Sequence, residues 1–201
     1  MSVFLKRLLS LLLLAAAVAT GYLLWKSGDP FYTAQAWISR GRYWEYDRLI
    51  MDAAKKHRVN PLLLKAMVWR ESSFHPGKMG TSGERGLLQV GEAAAEDWAK
   101  AGRIETFVPT DLFDPKTNLE VGAWYFAKAF ERWKDRDDPL PFALAEYNAG
   151  RSRVDRWVVA TNRGDEANAE QLMEAIDFPS TRRYVEEIVR RYRFYQDRGR
   201  M

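Results

Sequence analysis

Read from its N-terminus, the chain first shows a long apolar run, Leu8 to Trp25, in which only Ser10 and Thr20 are clearly polar. As a helix rising about 1.5 Å per residue, it would span roughly 27 Å, close to the thickness of a hydrocarbon core. Lys6 and Arg7 precede it, which favours a cytoplasmic N-terminus and an exported remainder. Two readings stay open. Residues 8–25 are an uncleaved inner-membrane anchor, or they are a signal segment cut at the small-x-small pattern Ala17-Val18-Ala19. Tyr22, Leu23, Leu24 and Trp25 carry the run beyond that pattern, and Trp25 suits a membrane interface, so the anchor is expected. Gly28-Asp29-Pro30 breaks the run. Residues 29–45 mix aromatics with Ser, Gly and Arg and read as a connector.

From Tyr46 the period becomes helical. Leu49, Ile50, Ala53 and Ala54 recur at helical spacing until Asn60-Pro61 stops one helix and starts the next. That second helix is apolar on most sides through Leu62, Leu63, Ala66, Met67 and Trp69, which predicts burial, and it ends near Ser72-Ser73. Glycines 77, 80, 83 and 86 mark a loop. Further helices are predicted over Glu92 to Lys100, after Asp114-Pro115, between Pro139 and Tyr147, and over Arg153 to Ala160. A last one follows Pro179-Ser180, with Val185, Ile188, Val189, Tyr192 and Tyr195 as its stripe. Alternating strand patterns are nearly absent. The expectation is one mainly α domain of seven or eight helices.

Composition narrows the chemistry. Of 201 residues none is Cys, which excludes disulfides, thiol nucleophiles, Cys-ligated zinc and a lipidated-Cys anchor. Net charge is +4, compatible with an anionic neighbour. The basic residues Arg182, Arg183, Arg190, Arg191, Arg193, Arg198 and Arg200 are interleaved with Glu186, Glu187 and an apolar stripe. They read as a solvated helix face, not a nucleic-acid arm, and no nucleic-acid partner is expected. Eight Trp can fill a core or line a sugar groove. His75 stands four residues after Glu71, but Pro76 breaks the helix that metal ligation would need, so neither a metal nor a cofactor is expected.

Glu71 is the candidate acid. It ends an apolar helix just before a Gly-rich loop, where partial desolvation would raise its pKa into the range of a general acid. The plainer reading is a helix-end Glu in a salt bridge. Three other segments bear on the choice. After Glu71-Ser72-Ser73-Phe74 come Gly86-Leu87-Leu88-Gln89, Ala145-Glu146-Tyr147-Asn148-Ala149-Gly150 and Thr181-Arg182-Arg183-Tyr184-Val185.

In this order the four segments resemble the catalytic domain of the soluble lytic transglycosylase family, over about residues 46–197. The resemblance implies a lysozyme-like (goose-type) α fold with a groove for peptidoglycan strands. Residues 1–28 are then anchor or signal, 29–45 a connector and 46–199 the catalytic domain, held in the periplasm or secreted. It further implies that Glu71 protonates the bond between N-acetylmuramic acid and N-acetylglucosamine and then acts as base on the muramic 6-hydroxyl, leaving a 1,6-anhydro end. Ser72, Gln89, Tyr147, Asn148 and Tyr184 match positions around the substrate. Alternatives remain for three of them: Ser72 as a helix-end hydroxyl, Asn148 as a turn former, Tyr184 as a core aromatic. Leu88 replaces the family's commoner Met. Gly80 stands where many members have Ser, and Glu146 where many have a small residue. A second carboxylate at Glu146 raises a lysozyme-type hydrolase as one alternative function; a non-catalytic glycan-binding scaffold is another.

Overall fold

In the computed structural model, which describes residues 3–39 and 41–199, the apolar run forms one helix, α1 (Val3–Lys26). Its stretch Leu5–Lys26 is long and apolar enough to cross a membrane, and its apolar side chains are almost all exposed. The stretch expected as a connector is largely helical, with α2 (Pro30–Ile38) and α3 (Arg42–Glu45). Local chemistry accounts for α2. Asp29 Oδ1 accepts the Tyr32 N–H at 2.9 Å, and Pro30 supplies a preset φ in the first turn. Tyr32 packs on Tyr43 with ring centroids 5.3 Å apart. These elements belong to one compact unit, Met1–Glu45, and the remainder forms a second, Tyr46–Met201. Arg200, read with the basic residues of the last helix, lies outside the described residues.

The second unit contains α4 (Asp47–His57), α5 (Pro61–Ser72), α6 (Glu92–Gly102), α7 (Pro115–Trp133), α8 (Leu140–Ala149), α9 (Arg151–Ala160), α10 (Ala169–Ala175) and α11 (Pro179–Arg198), with 3₁₀ turns at Pro109–Phe113 and Gly164–Glu166. Among the described residues this is the mainly α domain that the periodicity predicts. Helix starts follow capping chemistry. Asn60 Oδ1 accepts the Leu62 N–H at 2.9 Å ahead of Pro61, and Asp114 Oδ2 accepts the Thr117 N–H at 2.8 Å ahead of Pro115.

Within this unit α8 packs against α7 and α11, and α4 and α11 pack against α5. Leu64, Ala66, Met67 and Val68 are fully buried there. Each large side chain so buried contributes about 1.5–3 kcal/mol. The exception on this helix is Lys65, buried with its Nζ 2.6 Å from Asp47 on α4. Burial lowers the Lys65 pKa and raises that of Asp47, and each partner's charge opposes the shift. Losing one member would strand the other charge, at a cost of about 3–5 kcal/mol. The pair therefore pins α4 to the helix that carries Glu71 at its far end.

Candidate active site

Helix α5 ends abruptly. Ser73 and Phe74 both adopt left-handed backbone, at φ 50° and 62°, and Phe74 is fully buried. Such conformations are uncommon outside glycine, and the burial of Phe74 holds the reversal in place. The chain turns away immediately after Glu71 and leaves its carboxyl at the helix end, facing α11. Tyr184 on α11 donates its hydroxyl hydrogen bond to Glu71 Oε1 at 2.7 Å. Tyr184 is itself buried and is flanked by Arg70, whose guanidinium lies 5.5 Å from its ring centroid and pairs with Glu187 at 2.6 Å. Lys78 donates from Nζ to the backbone carbonyl of Glu71.

The balance of forces on Glu71 favours the protonated acid. Desolvation is the largest and drives the pKa upward; the Tyr184 hydrogen bond and the charges of Arg70 and Lys78 pull it down; Glu84 pushes it up. The result is a carboxyl pushed up to about 7. A group at that value is protonated on a large fraction of molecules near neutral pH and can give its proton up, as a general acid must.

The Gly-rich loop forms the facing wall. Met79 and Val90 each make an antiparallel bridge to Arg85, so residues 79–90 fold back as a tight double turn. Asn118 on α7, fully buried, holds this turn through its side-chain amide. It accepts from the Leu88 N–H at 2.8 Å and donates to the carbonyls of Arg85 at 2.7 Å and Leu112 at 2.8 Å. Gly86 has φ 79°, and a Cβ there would collide with the Asn118 amide and the Leu112 carbonyl. The close approach that Gly86 permits is thus to the protein's own clamp. Tyr147 on α8 donates to the Leu88 carbonyl at 2.9 Å and lies edge-on to Tyr125 at 5.7 Å. Burial first, then the neighbouring Glu71, raises the Tyr147 hydroxyl well above its ordinary pKa, so it stays a neutral donor.

The structure thus brings Glu71, Tyr147, Tyr184 and the 79–90 turn into one neighbourhood. Gln89 lies on that turn with φ 46°, and its amide NH₂ donates to the carbonyls of Lys78 at 3.0 Å and Gly86 at 2.9 Å. Those bonds tie the loop and aim Oε1 toward Gly80. Ser72 does not join the group. Its side chain is buried and its hydroxyl donates to the Val68 carbonyl at 3.2 Å, the geometry of a helix-end hydroxyl. The cause is the helical turn itself, which points position 72 into the core when 71 faces Tyr184 on α11. Asn148 Oδ1 accepts from the Thr181 hydroxyl at 2.8 Å and so joins the end of α8 to the start of α11. Glu146 is buried in an ion pair with Arg132 and accepts from Trp133 Nε1 at 2.7 Å. Its carboxylate belongs to the α7–α8 interface. The carboxylate that does act on Glu71 is Glu84, which fills the space beside Gly80 and accepts the Ser82 N–H at 3.1 Å. His75 Nδ1 lies 2.9 Å from the Ser72 carbonyl, and no cluster of metal ligands occurs among the described residues. A cavity of about 750 Å³ opens at the other end of α5, beside Asn60, Leu63 and Trp124, and is lined by none of Glu71, Gln89, Tyr147 and Tyr184.

Comparison with known proteins bears on this arrangement. The family model described as the transglycosylase SLT domain matches residues 48–170. The chain belongs to the SLT family. The curated relatives include a membrane-bound lytic murein transglycosylase F of Desulfosudis oleivorans, 33% identical over 132 residues that make up 64% of this chain and 27% of the relative. The soluble lytic murein transglycosylase of Escherichia coli K12 is 29% identical over 65% of this chain and 20% of that protein. The chain therefore spans about a quarter of the length of these relatives. Among solved structures, the 70 kDa soluble lytic transglycosylase of Escherichia coli superposes with a TM-score of 0.69 at 25% identity, covering 77% of this chain and 24% of that one. A 70 kDa soluble lytic transglycosylase in complex with bulgecin A gives the same score, at 25% identity, over 79% of this chain and 25% of that one. The SLT domain here thus has the mainly α, lysozyme-like fold that its motifs imply.

Asn118, Arg70, Lys78 and Glu84 are contributors that sequence reading alone missed. Asn118 had a faint signal, as a polar residue beside Leu119 and Val121 in an apolar helix face. Lys78 and Glu84 had none, because loop charges read as solvent-facing.

Proposed function

We propose that this SLT domain is a peptidoglycan lytic transglycosylase that cleaves the β-1,4 bond between N-acetylmuramic acid and N-acetylglucosamine without consuming water. The observation that carries this reading is the Glu71–Tyr184 pair: a desolvated carboxyl at about 7, hydrogen-bonded by a buried phenol. Protonated Glu71 gives its proton to the glycosidic oxygen as that bond to the muramic anomeric carbon breaks. The carboxylate left behind is stabilised by the Tyr184 hydroxyl, which donates to it throughout. It then takes the proton of the muramic 6-hydroxyl as that oxygen bonds to the same anomeric carbon. One proton leaves Glu71 and one returns, and the product is a 1,6-anhydro end. Tyr147 and Gln89 line the groove; with the Tyr147 proton held by the Leu88 carbonyl, the phenol oxygen and Gln89 Oε1 both present acceptors to the N–H and hydroxyl groups of the sugar.

Two-carboxylate glycosidases need a second, independent carboxylate at the reacting carbon. Glu146 is withdrawn into its pair with Arg132, which favours the single-acid reading over a hydrolase. We further infer that α1 is retained as an inner-membrane anchor, with the catalytic domain in the periplasm. Its length and apolar surface support this, as does the family's inclusion of proteins named membrane-bound. The test is release of soluble muropeptides from purified sacculi by the full chain in detergent micelles. Glu71→Gln should abolish release while sacculus binding persists. Unchanged release would refute the assignment of Glu71, and binding without turnover by the wild type would make the domain a glycan-binding scaffold.

A further inference from the structure

The described part of the first unit holds a surface that the catalytic reading does not use. Along α2, Phe31, Trp37 and Ile38 are 69%, 51% and 80% exposed, while Tyr32 and Ala36 are buried. Trp25, at the end of α1, is 75% exposed. At 100° per residue, Pro30, Phe31, Ala34, Trp37 and Ile38 fall within roughly a third of the helix circumference. No residue of Pro30–Ile38 carries a charge. The helix therefore shows water a continuous apolar face containing two large aromatic rings, a cost that soluble proteins avoid unless something covers it.

The position of α2 in the chain identifies the cover. Only Ser27, Gly28 and Asp29 separate the last residue of α1, Lys26, from Pro30. Three residues reach at most about 10 Å when fully extended. Ser27 and Gly28 use part of that reach in bonding back to the carbonyls of Leu23, Leu24 and Trp25. A helix tethered so closely to a membrane span starts in the headgroup layer, the depth at which an amphipathic helix buries its apolar face, about 5–10 Å, and at which Trp and other aromatics collect, and its uncharged apolar face favours lying along that layer over standing out into water.

We propose that α2 lies flat in the membrane–water interface, with Phe31, Ala34, Trp37 and Ile38 turned into the boundary between lipid headgroups and acyl chains. This rests on the reading of α1 as a retained anchor. The interfacial helix fixes the point at which the chain leaves the bilayer, with Tyr32 and Ala36 on its inner side.

The absence of Cys makes the test free of background, since each introduced cysteine is the sole labelling site. The full chain is reconstituted in phosphatidylethanolamine–phosphatidylglycerol vesicles with one spin label each at Leu13→Cys, Phe31→Cys, Thr33→Cys, Ala34→Cys, Ile38→Cys or Ser39→Cys. Collisions with oxygen, which partitions into lipid, are compared with those of a water-soluble nickel chelate. We expect the label at 13 to be deep, labels at 31, 34 and 38 to be oxygen-rich but shallower, and labels at 33 and 39 to favour nickel. A deep label at 13 with nickel-accessible labels at 31, 34 and 38 would overturn the interfacial helix while the anchor stands. Labels at 31, 34 and 38 shielded from both reagents would mean that protein covers the face, and would also overturn it. A water-exposed label at 13 would defeat the anchor and the inference together.

Discussion

Replacing Glu71 by Gln removes a charge that the folded domain holds at a loss. The ordinary carboxyl value of 4.5 is raised to about 7 by burial. At 1.36 kcal/mol per pH unit the gap amounts to about 3 kcal/mol. The sign follows from linkage. A group whose pKa is higher in the folded state binds its proton more tightly there. Its contribution is fully retained below 4.5 and is lost progressively as pH rises through 7. The Gln side chain keeps the size of Glu and retains an oxygen that can accept from Tyr184, so the packing and the 2.7 Å bond survive. Wild type and Glu71→Gln should thus be nearly equal in stability at pH 4, and the variant should be more stable by about 3 kcal/mol at pH 8. For a chain of this size that is a rise of about 6–12 °C in Tm. Thermal unfolding of the full chain in micelles, followed by circular dichroism in half-unit steps from pH 4 to 8.5, reads the difference directly. A difference independent of pH, or a less stable variant at pH 8, would refute the claim that burial dominates the charge of Glu71.

Further consequences are as specific. Activity should fall as pH rises through about 7, because the proton donor is lost; Tyr184→Phe should move that fall to higher pH and lower kcat, since the Tyr184 hydrogen bond favours the carboxylate, and Glu84→Gln should move it to lower pH. A pH–rate profile on soluble glycan fragments checks all three, and a Tyr184→Phe profile unmoved from wild type would contradict the role of the bond. Gly86→Ala should destabilise by about 3 kcal/mol or more, because a Cβ meets Asn118 and the Leu112 carbonyl at a φ of 79°; urea unfolding measures it, and a loss under 1 kcal/mol would be inconsistent with the clamp. Glu146→Ala should cost about 3–5 kcal/mol through the stranded Arg132 and Trp133 donors. The anhydro character of any product that the variant still releases should be unchanged, and reducing ends from it would return Glu146 to the chemistry.

Much of the domain was legible from spacing because its helices advertise themselves. Asn60-Pro61 and Asp114-Pro115 are side-chain caps followed by a residue with preset φ, and the structure uses both in that way. Glu71 and Tyr184 are 113 positions apart in sequence, and nothing in periodicity joins them; the ordered motifs drew them to one site, and the structure places them 2.7 Å apart. The direction of Ser72 was not legible, because a motif fixes which residue follows Glu71 but not which way the helical turn aims it. The same holds for Glu146, whose partner Arg132 lies on another helix. The Asn118 clamp escaped because it bonds backbone groups, which carry no sequence signal. The helices of residues 29–45 escaped because α2 has nine residues and α3 four, too few to show a period.

The central claim is that Glu71 acts first as acid and then as base without water entering the bond. Digestion of purified sacculi by the full chain in ¹⁸O-water, wild type beside Glu71→Gln, with products weighed by mass spectrometry, tests it directly. The account predicts 1,6-anhydro muropeptides that carry no ¹⁸O from the wild type, and none from the variant. Reducing ends labelled with one ¹⁸O, or anhydro products from Glu71→Gln, would contradict it.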